Sequence, residues 1–243
     1  MNDLVDHLAP DLLAPTASSG RQTFEGCVER LATAIRLGVY PYGTTLPPER
    51  ELAVLLGVSR ATVREAIGAL RSAGMVRTTR GRGGGTVVDV EPPTPGSAAA
   101  TPEARRPELL DALVFRRVVE PGACFVAAST PLTTAGLDGL HAAHDAVRRA
   151  VDPAEHRQAD ARLHLALAGL TGSPSLVAAV TQVQAAVHEM LLAIPVLPTN
   201  IEHSNAQHAA IVAAVEARDP DLARRSMEEH CDDTAALLRG LLR

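Results

Sequence analysis

Apolar residues recur at helical spacing through most of this chain and at strand spacing in one short stretch. Leu52, Leu55 and Leu56 share one face of a segment that follows Pro47 and Pro48, residues suited to a first helical turn because a missing N–H costs nothing there. Gly57 and Val58 predict a tight turn and Ser59 an N-cap. Val63, Ala66, Ile67 and Leu70 then return at i, i+3, i+4 and i+7 for a second helix closed by Gly74. Upstream, Val28, Leu31, Ala32 and Ile35 give a helix over 23–37 its inner face. Downstream, 75–79 and 86–90 alternate or carry β-branched residues around the tip Arg80-Gly81-Arg82-Gly83-Gly84-Gly85, which predicts a two-stranded wing. The expectation is a winged helix-turn-helix. Its second helix exposes Arg60, Ala61, Thr62 and Arg64 on the N-terminal turns, the part of a recognition helix that enters the major groove of double-stranded DNA.

From Glu108 onward the pattern predicts six helices, over 108–129, 133–151, 153–171, 174–193, 199–217 and 220–242. Breakers separate them: Pro131, Pro153, Gly172-Ser173-Pro174, Pro195 to Pro198 and Asp219-Pro220. No strand pattern appears there, so the fold class is mainly α, a winged helix-turn-helix followed by an antiparallel helical bundle. Residues 1–20 lack periodicity and read as a mobile tail, and 91–107, rich in Pro, Ala and Ser, read as a linker. The domains are therefore expected at 21–90 and 108–243.

Charge sharpens the first reading. Residues 21–88 hold ten arginines against five glutamates, a net of +5 in a chain whose total is −5. A basic patch in an acidic protein is the footprint of one domain facing phosphate. Arginine at 60 or 64 can hydrogen-bond guanine twice, and Ser59 and Thr62 can reach phosphate or a base edge. The length of 243 residues and 46% hydrophobic content allow two buried cores. No run of 18 apolar residues and no signal peptide are visible, so the expected location is cytoplasmic, without a membrane. Cys27, Cys124 and Cys231 are too widely spaced for a metal pair or a disulfide framework and read as small buried thiols.

The candidate chemistry of the bundle sits in four residues. Asp160 and His164 are four apart and project from one helix face, while His208 and His230 fall on later helices. One carboxylate and three imidazoles suit zinc, nickel, manganese or iron. Spacing alone leaves the alternative of solvated or core-packing histidines open.

The segments PPERELA, GVSRATVREAIGALRSAGMV and RGRGGGTVV resemble the N-terminal domain of GntR-type bacterial repressors, and the sequence beyond resembles the helical FCD effector domain of their FadR subfamily, across roughly residues 22–242. Six effector helices match the smaller, VanR-like version. The resemblance implies operator contacts by Arg50, Arg60 and Arg64, minor-groove entry by Gly81 beside Arg80 and Arg82, and a homodimer on a palindromic operator. DARLH, HAAIVAAV and MEEH match the family's metal-ligand motifs at Asp160, His164, His208 and His230. Leu163 and Ser173 depart from its usual Phe and Asn beside them. Arg116 matches an arginine that faces the pocket and binds a small carboxylate effector; its other reading is a surface residue paired with Glu120 at i+4. The histidines at 7, 141, 144, 156, 188 and 203 read as surface or packing residues, with 188 and 203 on helices that should line the cavity. The function expected is a metal- and metabolite-responsive repressor rather than an enzyme. The alternative is a metal-dependent enzyme with an accessory DNA-binding domain, for which Glu189 and Glu202 are the nearest candidate bases. Unperturbed imidazoles would lose metal, and with it effector affinity, below about pH 6.5.

Overall fold

A computed structural model of the chain describes residues 24–79, 85–90, 106–192 and 198–241. The chain divides into two compact units, with the break between Pro92 and Pro93. The segment 1–20, most of 91–107 and the wing-tip residues Arg80, Gly81 and Arg82 lie outside the described residues.

In the first unit, helices α1 (Phe24–Arg36), α2 (Glu49–Leu56) and α3 (Arg60–Ser72) precede strands β1 (Val76–Thr78) and β2 (Thr86–Val88). Helix α2 starts one residue after Pro48 and stops at Gly57, whose φ of 66° is the left-handed turn that glycine adopts without a Cβ clash. Ser59 then caps α3, its hydroxyl accepting from Thr62 N at 3.1 Å. Leu31, Ile35, Leu52, Leu56, Val63, Ile67 and Leu70 close the core between these helices. The strands pair antiparallel with Val76 opposite Val88 and Thr78 opposite Thr86. The stretch before α2 joins them: Leu46 N donates to Thr86 O and Val88 N to Thr44 O. This added strand-like edge was not visible in the pattern. It is short, and its pairing partner lies forty residues on.

The second unit holds α4 (Arg106–Ser129), α5 (Thr134–Arg149), α6 (Pro153–Gly169), α7 (Pro174–Leu192), α8 (Pro198–Glu216) and α9 (Pro220–Leu241). Each expected helix is present, its ends displaced by no more than about two residues, which is ordinary fraying. Asp152 caps α6, accepting from Ala154 N and Glu155 N, with Pro153 in the first turn. Helix α6 is buried on almost every side, from Ala154 through Ala168. It is thus the inner helix, and polar residues on it must find partners within the bundle. Helix α4 packs along α9 and also touches α6, α7 and α8. Leu109 and Leu113 of α4, Val183, Val187 and Met190 of α7, and Ala235 and Leu238 of α9 form one apolar cluster. Among the described residues, no helix is long and apolar enough to cross a membrane.

Candidate functional site

The expected recognition helix presents its polar face to solvent. Arg50, Ser59, Arg60 and Arg64 are exposed and Thr62 is half-buried, while Val63, Ala66, Ile67 and Leu70 point into the core. Ser59 and Thr62 also share a hydroxyl–hydroxyl hydrogen bond of 2.9 Å, so cap and helix start are rigid together. Arg64 is not free: Nε and Nη2 donate to Glu49 Oε1 and Oε2 at 3.2 and 2.8 Å. This bidentate bond to α2 holds the Glu49 carboxyl below its ordinary pKa. It is solvent-exposed and therefore weak, a partner that a nucleic-acid acceptor can replace.

In the bundle, four helices bring their polar residues to one buried place. Ligating atoms of His164 on α6, His208 on α8 and His230 on α9 all lie within 4.8 Å of one another, and the three side chains are buried. Ring centroids are 4.6 to 5.6 Å apart. Asp160, one turn before His164, sits 3.9 Å from His164 Nε2 and 3.4 Å from His208 Nε2. It touches two of the three imidazoles and lies outside the tightest triad. Both ring nitrogens of His164 and of His208 lack a hydrogen-bond partner among the described residues, the nearby carboxylates being close without hydrogen-bond geometry. Buried unpartnered nitrogens are costly unless something else is bound there. A borderline divalent cation fits this set by donor chemistry and convergence.

Arg116 is 1% exposed, so the surface reading of it is corrected. It does pair with Glu120, as i+4 spacing allowed, Nε donating to Oε2 at 2.9 Å, but inside the bundle. Its Nη2 donates to His230 Nε2 at 3.1 Å. An arginine has no lone pair to offer, so His230 Nε2 must be the acceptor and Nδ1 must carry the proton, which it donates to Gln207 Oε1 at 3.1 Å. Nη1 of Arg116 is buried without a hydrogen-bond partner among the described residues.

Burial dominates the electrostatics. It pushes the His208 pKa down to about 3, only partly opposed by Asp160. It drives His230 well below the ordinary imidazole value, with His208 and Arg116 adding to the effect. Burial alone would raise the Glu120 and Asp160 carboxyls. Arg116 and then His164 outweigh it at Glu120, and His208 and then His164 at Asp160, so both are held low. Burial therefore favours the neutral form of His208 and His230, the form that cation ligation needs.

Glu120, Gln184 and Gln207 belong to the site and were not singled out as such by spacing. Gln184 donates to Glu120 Oε1, and Cys231 Sγ approaches Oε2 at 3.6 Å. The remaining histidines divide. His156 and His188 are buried, His144 is half-buried, and His141 and His203 are exposed and hydrogen-bonded to Glu216 and Asp233. His7 lies outside the described residues. Glu189 and Glu202 are exposed. All three cysteines are free and buried, as expected.

Comparison with known proteins divides the chain at the same place. The model of the bacterial regulatory proteins of the gntR family matches residues 24–88. The model of the FCD domain matches 111–233. The putative HTH-type transcriptional regulator RmpR of Mycobacterium gastri is 32% identical over 219 residues, 85% of this chain and 76% of that protein. The HTH-type transcriptional repressor NanR of Cronobacter sakazakii is 30% identical over 227 residues, 88% of this chain and 84% of that protein. Among solved structures, E. coli McbR/YncC shares the fold with a TM-score of 0.53 at 19% identity, covering 89% of this chain and 97% of that one.

Proposed function

The chain belongs to the GntR family of bacterial transcriptional regulators and carries an FCD domain, and from that premise we propose that it is a metabolite-responsive repressor whose bundle binds a divalent metal and a small organic acid. The observation that carries this reading is the buried triad His164, His208 and His230, with the unpartnered ring nitrogens of His164 and His208 beside Asp160. A bound divalent cation would supply a Lewis-acidic centre with positions that a carboxylate oxygen can fill. Zinc heads the candidates, with nickel, manganese and iron also compatible with three imidazoles and a carboxylate.

The protein's own residues would do the rest. His164, His208, His230 and Asp160 hold the cation. Arg116 keeps one guanidinium donor, Nη1, for an anionic effector. Arg50, Ser59, Arg60, Thr62 and Arg64 meet the operator, with Arg80, Gly81 and Arg82 of the wing tip. Two copies on a palindrome give the second head a high effective concentration. The relatives RmpR and NanR carry regulator names, which favours a regulator over an enzyme.

Elemental mass spectrometry of the protein as isolated, beside His208→Ala, tests the metal. The expected result is near-stoichiometric metal in the native chain and little in the variant. Equal metal content in both would remove the site. Native mass spectrometry of the same sample reads any co-purified acid.

A further inference from the structure

Glu120 is a carboxylate that neither the metal triad nor the DNA-binding head requires, yet it is among the most buried charges in the bundle at 2% exposure. Four helices converge on it. Arg116 Nε of α4 donates to its Oε2 at 2.9 Å, His164 Nδ1 of α6 lies 3.0 Å from the same oxygen, Gln184 of α7 donates to Oε1, and Cys231 Sγ of α9 stands 3.6 Å from Oε2. Placing an ion there is expensive, and removing one partner of such a set leaves an uncompensated buried charge.

We propose that Glu120 is the positioning residue of the metal centre: it holds His164 in the Nδ1–H tautomer, turning the Nε2 lone pair toward Asp160, and through Arg116 it also fixes the donor that rests on His230. This inference rests on the metal reading above. The two nitrogens of His164 face different carboxylates, Nδ1 toward Glu120 at 3.0 Å and Nε2 toward Asp160 at 3.9 Å. Glu120 Oε2 stands at hydrogen-bond distance from Nδ1 and a small turn of the ring would align the bond; an imidazole held that way has its Nε2 free for a cation, and the carboxylate raises the basicity of the ligating nitrogen. Glu120 reaches His230 as well, because the guanidinium it anchors by Nε donates by Nη2 to His230 Nε2. One side chain thus sets the tautomer and aim of one ligand and the resting partner of another.

The competing account is that Glu120 merely neutralises Arg116. Cobalt(II) titration of stripped full-length protein against a competing chelator separates the two. The set is wild type, Glu120→Gln, Glu120→Asp, His164→Ala, and His164→Ala with Glu120→Gln. Glu120→Asp keeps the charge beside Arg116 while drawing the carboxylate back from His164 by one methylene, and it keeps the test valid if Glu120→Gln folds poorly. Positioning predicts that Glu120→Gln and Glu120→Asp each bind cobalt about 10- to 100-fold more weakly than wild type. It also predicts that Glu120→Gln adds no loss on top of His164→Ala. Wild-type affinity in Glu120→Asp, or a full additional loss on the His164→Ala background, overturns the proposal and leaves Glu120 as a counter-ion. If wild type itself binds no cobalt, zinc, nickel or manganese, the metal reading falls first and this inference falls with it.

Discussion

Arg116 and His230 face each other from the first and last helices of the second unit, the guanidinium Nη2 donating to the imidazole Nε2 at 3.1 Å. The lone pair that a cation would take is therefore occupied by a fixed positive group. The other ring nitrogen, Nδ1, is committed to Gln207. Ligation by His230 must then displace Arg116 or turn the ring.

Replacing Arg116 by Gln should strengthen metal binding, which is the opposite of what loss of a site residue ordinarily does. The variant removes both the competing donor and a positive charge, and it leaves Glu120 as an extra negative group. An increase on the order of tenfold in cobalt(II) or zinc affinity is expected, modest beside the bare Coulomb energy of charges this close because the interior is polarisable. Chelator competition measures it. A weaker affinity in Arg116→Gln would show that Arg116 supports the ligands rather than guarding them.

Acid should destabilise the metal-free bundle, and the sign follows from the shifts. His208 is depressed to about 3 in the fold, chiefly by burial, with Asp160, His164 and His156 of α6 and Arg116 of α4 facing it; burial also drives His230 well below its ordinary value. A histidine whose folded pKa lies below its unfolded value near 6.5 contributes stability that is intact above pH 6.5 and drains away as pH falls from there toward the folded pKa. Glu120, also depressed, adds a loss beginning below the unfolded carboxyl value of about 4.3. Unfolding free energy in chelator should therefore fall by up to about 1.4 kcal/mol per pH unit for each proton taken up. His208→Asn should flatten the slope between pH 6 and 4. A pH-independent stability over that window would contradict the buried neutral histidines. The same shift moves the expected acid release of metal well below pH 6.5, since His208 and His230 stay neutral in the fold at that pH.

On the DNA side, Arg64 must leave Glu49 if it is to reach a base. The pair is exposed, with the arginine side chain 64% accessible, so breaking it costs little. Arg60→Ala should lose about 1 to 3 kcal/mol of operator affinity if it reads a base bidentately. Glu49→Gln should tighten binding at low salt and increase the salt dependence, because it removes both a competitor and a negative charge from the face. Fluorescence anisotropy on a duplex selected from random sequence, repeated across salt concentrations, reads both. Unchanged affinity in Arg60→Ala and Arg64→Ala together would remove the recognition-helix assignment.

The helices of both units were legible because their stop signals are local. Pro153, Gly172-Ser173-Pro174 and Asp219-Pro220 act on their own neighbourhoods, and burial of the intervening stripes then follows. The four candidate ligands were legible through motifs on separate helices. Glu120 was not, because an Arg and a Glu four apart read as a solvated pair on any helix. What buries them is His164, Gln184 and Cys231, each on a different helix. Gln207 is illegible in the sequence for a similar reason: its amide matters only because His230, on the next helix, needs an acceptor at Nδ1.

Helix α4 buries Arg116, Val119 and Glu120 on one side, yet on the other it exposes Leu110, Val114, Phe115, Val118 and Phe125, with Val114 and Val118 accessible to 60% and 70%. Gly122 lies among them, and a Cβ built there would meet nothing within 4 Å. A contiguous apolar stripe with a shallow spot along a single helix suits a two-fold contact, where the same patch meets itself. If this face joins the expected dimer, Val118→Glu should place like charges near the two-fold axis and yield monomers in light scattering at concentrations where the native chain is dimeric. Melting of the monomeric variant should stay close to wild type, since Val118 contributes little to its own core. Binding to a palindrome should weaken toward that of a half-site, while half-site affinity itself is retained. A Val118→Glu protein that remains dimeric assigns the contact to another surface of the bundle. One that is monomeric but binds the palindrome as tightly as wild type would separate dimerisation from operator recognition altogether.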